Sequence, residues 1–99
     1  MIPSERKEAL NFYHLIAFLL RHNNKLPRKL GSALGLHLYH ILRSECEYHD
    51  NTRLQIVALL ILWDKQHSLE SVFFKKWKIY ESLKTIDIDK DILFEVSQA

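Results

Sequence analysis

The chain has 99 residues, of which 47% are hydrophobic and 26% charged, with a formal net charge of +2. This composition excludes a disordered polyelectrolyte, and the length allows one hydrophobic core, so a single helical domain over residues 1–99 is expected. One cysteine excludes an internal disulfide, and two Gly with two Pro supply little turn chemistry for a sheet. The expectation is an all-α fold, a compact bundle of four to five helices.

The first helix opens at Pro3-Ser4-Glu5, with Ser4 placed to cap it and Glu5 and Glu8 near the positive end of its dipole. Leu10, Tyr13, Ile16, Ala17 and Leu20 recur at helical spacing, and Phe12, Leu15, Phe18 and Leu19 add a second apolar face. A helix apolar on two sides needs cover on two sides, from the domain or from a second subunit. His22-Asn23-Asn24 ends it, and Pro27 suits the first turn of the next. After a polar hinge at 44–51, Asp50, Asn51 or Thr52 caps a helix that reaches Gln66. That helix is apolar almost all round, as a buried central helix is. Ser68 is placed to cap a long helix over 69–84. Its Leu69, Val72, Phe73, Trp77, Tyr80 and Leu83 form an inward stripe, with Lys75 and Lys78 outside and Phe74 off the stripe. Residues 90–96 read as a short last helix capped by Asp87 or Asp89. The longest apolar run, 56–63, is too short to span a bilayer, and Glu5, Arg6, Lys7 and Glu8 interrupt any apolar leader. A cytoplasmic protein with no membrane contact is expected.

The stretch 26–46, LPRKLGSALGLHLYHILRSEC, carries the most specific signal. A short helix over 28–34 would turn at Gly35-Leu36 and restart as a second helix over 38–45. Gly31 supplies the small residue where the helices meet, and Gly35 supplies the residue that tolerates a left-handed backbone. Leu30, Leu34, Leu36 and Ile41 are the apolar pins, while Ser44 stands where another is usual. The segment resembles helix-turn-helix DNA-binding regulators. The resemblance implies a transcriptional regulator that binds double-stranded DNA as a homodimer, with its second helix in the major groove.

The charges agree with that reading. No acid lies between Glu8 and Glu45, a span that holds Arg21, Lys25, Arg28, Lys29 and Arg43 with four histidines. Phosphates would be held by Arg21, Lys25, Arg28 and Lys29, and base edges would meet His37, Tyr39, His40 and Arg43. The competing local structure is one unbroken helix over 28–48, with Gly31 and Gly35 admitting a close neighbour instead of making a turn.

Other chemistry is thinly supported. His37 and His40 point opposite to Cys46 and His49 on a continuous helix, so four metal ligands do not converge. Asp87-Ile88-Asp89-Lys90-Asp91 begins like a calcium loop but lacks its glycine and its final glutamate. With no phosphate loop, nucleophile elbow or convincing carboxylate pair, neither a catalytic residue nor a cofactor is expected. The alternative function is a helical protein-protein interaction module, an adaptor or inhibitor, using Leu38 and Leu42 with aromatics such as Phe12 or Phe74. The segment RLQIVALLILWDKQHSLESVFFKKW is similar to later helices of peptide-binding helical superhelices, including domains that bind the RNA polymerase C-terminal tail.

Overall fold

The computed structural model describes residues 3–99, which form six α-helices and no strand. In chain order these are α1 (Pro3–Leu19), α2 (Leu26–Ala33), α3 (Leu38–Glu47), α4 (Thr52–Gln66), α5 (Val72–Thr85) and α6 (Lys90–Gln98). The all-α class is as expected, with one helix more than the upper count. None of the described helices is long and apolar enough to cross a membrane.

The local start signals divide. Asn51 accepts a hydrogen bond from the Leu54 amide at 3.0 Å, and Asp89 accepts from the Asp91 amide at 2.8 Å. Each thereby satisfies a donor that the first helical turn leaves free. Asp87 instead takes a left-handed conformation (φ 60°) in the turn before α6, as Asp50 does (φ 58°) before α4. Asp is one of the few residues that visits this region readily. Two expected caps are displaced. Ser4 lies within α1, and the cap of α5 is Ser71, whose hydroxyl accepts from the Phe74 amide at 3.1 Å, and not Ser68.

The central position belongs to α4, which packs against α1, α2 and α3, while α5 packs against α1, α2 and α6. Ile56, Leu59, Leu60 and Trp63 of α4 are fully buried against Tyr13, Ile16, Leu26 and Leu30 from α1 and α2. Burying each such side chain contributes about 1.5–3 kcal/mol. Much of the two-sided apolar surface of α1 is covered within the chain itself, with Phe12, Tyr13, Ile16 and Ala17 all buried. That surface was one basis for expecting a dimer; the fold uses most of it internally, while Phe18 stays exposed.

The clearest correction concerns α5. Phe73 is 79% exposed and Trp77 50% exposed, whereas Lys75, expected outside, is 1% exposed. The buried face runs through Lys75, Ile79, Ser82 and Leu83. The reason lies on α4, where Asp64 is also buried. A lone carboxylate there would be expensive to desolvate, and Lys75 Nζ approaches its Oδ1 to 2.8 Å. The ammonium and carboxylate thus neutralise one another in the core. The Tyr13 hydroxyl donates to Asp64 Oδ1, and Arg6 donates to Oδ2 from the half-exposed end of the cluster. One carboxylate therefore ties α1, α4 and α5 together, and α5 turns its charge inward and its aromatics outward to complete the set.

Burial alone pushes the Asp64 carboxyl upward. Its contacts with Lys75, Tyr13 and Arg6 outweigh that and hold it below the usual carboxylate range. A depressed folded value means that the cluster contributes its stability above the unfolded aspartate pKa, near 4. That stability is lost as pH falls through the lower folded value. The thermal midpoint should therefore change little through this cluster down to about pH 4 and decline below it. A variant carrying Asp64→Asn with Lys75→Met should lose that part of the decline in a melting series over the same range.

Candidate nucleic-acid interface

Helix α2 begins with buried Leu26 and Pro27, the proline standing in the first turn where a missing amide leaves no gap. It ends in a six-residue closure. The Leu36 amide donates to the Gly31 carbonyl at 2.9 Å, and the Gly35 amide donates to the Ser32 carbonyl at 3.0 Å. This is the Schellman pattern, which requires a left-handed residue, and Gly35 has φ 79°. Leu36, following the glycine, is buried with Leu30. The chain therefore breaks between α2 and α3, and the unbroken helix over 28–48 does not form.

The restart at α3 is capped by His37, whose Nδ1 accepts from the Tyr39 amide at 3.0 Å. Where α3 crosses α2, the backbone of Gly31 meets Ile41. A β-carbon on Gly31 would lie 2.8 Å from both Ile41 Cγ1 and Cδ1 and 3.6 Å from Leu59 Cδ1 of α4. Only a residue without a side chain fits. Ser44, at the position where another apolar pin is usual, is buried with its hydroxyl donating to the Ile41 carbonyl at 2.7 Å. The polar atom is thus satisfied within its own helix.

This packing leaves one face of α3 outside. Leu38 (58%), Tyr39 (59%) and Leu42 (39%) are exposed, and His37, Arg43 and Cys46 are exposed beside them. His40 is half-buried, and its ring meets the Tyr39 ring edge-on at 5.4 Å between centroids.

The expected phosphate-holding cations fall into two groups. Lys25, at the start of α2, and Lys29, one turn on, are exposed and have no carboxylate within 4 Å among the described residues. Arg21 is exposed, its guanidinium 4.1 Å above the Phe18 ring and donating to the Phe18 carbonyl at 2.7 Å. Arg28 and Arg43 are already engaged. Arg28 grips Glu45 through two bonds of 2.6 and 3.1 Å, joining the first turn of α2 to the end of α3. Arg43 holds Glu47, four residues on, at 2.7 Å. The bond from Arg28 outweighs the small effect of burial and lowers the Glu45 carboxyl below its ordinary value. Both pairs are solvent-exposed, so each contributes little to stability and each arginine can be released to another anion.

The Arg43–Glu47 pair was legible as a helical i, i+4 spacing. The Arg28–Glu45 pair spans 17 residues and depends on the angle at which the turn sets the two helices. Sequence reasoning also missed a second surface. A groove of about 460 Å³ between α1, α5 and the end of α6 is lined by Phe12, Phe73, Trp77, Tyr80 and Val96, with the Glu8–Lys76 ion pair (2.9 Å) beside it. Its signal was the misassigned phase of α5.

The chain matches no known protein-family model, no curated protein and no solved structure.

Proposed function

We propose that this chain binds double-stranded DNA through the α2–turn–α3 unit, with α3 entering the major groove and Lys25, Lys29 and Arg21 held to the phosphates on its flank. The observation that carries the reading is the joint use of the two glycines. Gly31 admits Ile41 at the helix crossing and Gly35 closes the turn, so that α3 is pinned on one side and open on the other. The acid-free span from residue 9 to 44 supports contact with phosphate, and the only acids of the unit, Glu45 and Glu47 in the last turn of α3, are paired with Arg28 and Arg43. Regulation of transcription is the role such binding serves in this reading, and two copies on paired half-sites are its natural stoichiometry.

Replacing both Lys25 and Lys29 by Glu should lower affinity for a random duplex at least a hundredfold. The dependence of log affinity on log salt should flatten by about 0.9 for each phosphate contact removed. Circular dichroism should be unchanged, because both side chains project into solvent. Equal binding by the double variant and the parent chain, measured by fluorescence anisotropy, would refute the reading.

A second reading, a helical protein-interaction module, draws on a different observation. Phe73 and Trp77 are exposed on α5 and line one groove with Phe12, Tyr80 and Val96, and an exposed aromatic groove is characteristic of protein-binding surfaces. The two readings separate without knowledge of a partner. Substitution of Phe73 and Trp77 by Ser leaves salt-dependent DNA binding intact under the first, and under the second there is no such binding to preserve.

A further inference from the structure

Resting on the DNA reading above, we propose that α3 recognises thymine by its methyl group, with Leu38 and Leu42 as the reading residues. These two leucines project from the open face of α3, 58% and 39% exposed, on a helix whose other aliphatic residue, Ile41, is buried. Neither has a hydrogen-bonding group, so neither can read the donor and acceptor pattern of a base edge. The C5 methyl of thymine is the apolar feature that the major groove presents, and a leucine side chain is its chemical complement. Leu38 and Leu42 are one helical turn apart, about 6 Å along the axis, which is close to two base steps of 3.4 Å. Two thymines within two or three steps of each other therefore fit the pair. His37 and Tyr39 stand exposed beside Leu38, and Arg43 beside Leu42, with polar groups for the neighbouring base edges and phosphates. Lys25 and Lys29 of the neighbouring α2 are exposed with no carboxylate partner among the described residues, a charge that suits a nucleic acid better than an apolar protein surface.

The test uses the whole chain and a random-sequence duplex pool. Sequences enriched by binding are remade with uracil in place of thymine, which removes the methyl and leaves every hydrogen-bonding group unchanged. Burial of one methyl corresponds to about a fourfold change in affinity, so loss of two should weaken binding about fifteenfold. Leu38→Ala with Leu42→Ala should bind the thymine and uracil duplexes alike, at an affinity near that of the parent chain for uracil DNA. Thymine and uracil duplexes bound equally by the parent chain would overturn the methyl readout while leaving DNA binding in place. Salt-sensitive binding to neither duplex would overturn the DNA reading itself and the readout with it.

Discussion

Replacement of Asp64 by alanine should destabilise the protein by about 3–5 kcal/mol, the range for breaking a buried ion pair from one side. The loss of attraction is the smaller part of that figure. What remains is the Lys75 ammonium, 1% exposed, in a core that offers it no other acceptor. The Tyr13 hydroxyl loses its acceptor in the same step. Since a domain of this size has roughly 5–15 kcal/mol of total stability, the variant should show a large fall in its urea midpoint and lose near-ultraviolet dichroism on mild heating. The companion variant tests the cause. Asp64→Leu combined with Lys75→Met removes both charges and should recover most of the loss, because a buried pair is often no better than apolar side chains of similar volume. A double variant as unstable as Asp64→Ala would show that the shape of the site matters more than its charge.

Gly31→Val should cost about 3 kcal/mol and, under the proposed DNA reading, should also remove duplex binding. Its β-carbon would start 2.8 Å from two carbons of Ile41, and the valine methyls would extend further into the same space. Ile41 is buried and held between α2 and α4, so it cannot swing aside into solvent. Overpacking of this kind typically costs 1–3 kcal/mol. Gly31→Ala separates packing from backbone preference by its sign. In an open helix the change would stabilise by about 1 kcal/mol through helix propensity alone. Here the crossing should reverse that gain to a net loss. Ile41→Val, introduced with Gly31→Ala, removes one of the two colliding carbons, so the pair should be more stable than the sum of the single changes. Chemical denaturation of the four chains gives the coupling directly. Because α3 is set in place by this crossing, the valine variant should lose affinity for a duplex under conditions where its helical content persists.

Much of the helical skeleton was present in local chemistry. The turn at Gly35 and the proline at the start of α2 each follow from backbone demands that few residue types meet, and the caps Asn51 and Asp89 each stood among two or three neighbouring candidates. The pins Leu30, Leu34, Leu36 and Ile41 were readable because the spacing of a two-helix corner leaves few positions that can face inward. The same logic gave the wrong phase for α5. Counting Phe73 and Trp77 as inward residues treats hydrophobicity as a property of one helix, whereas burial is settled between helices.

The amino-acid sequence by itself determined that this is an all-α domain, where most of its helices begin and end, and that an acid-free span surrounds a glycine-marked corner. Those features arise from interactions a few residues apart, or from composition, and need no knowledge of the rest of the chain. Tertiary structure decided which charges are free and which apolar side chains are spare. Asp64 lies 51 residues from Tyr13 and 58 from Arg6, yet their shared burial turns Lys75 inward and sends Phe73 and Trp77 out. Arg28 is likewise withdrawn from the list of unpaired cations by a carboxylate 17 residues away. Local backbone preferences cannot specify such pairings, because the desolvation that makes them necessary exists only once the helices have packed.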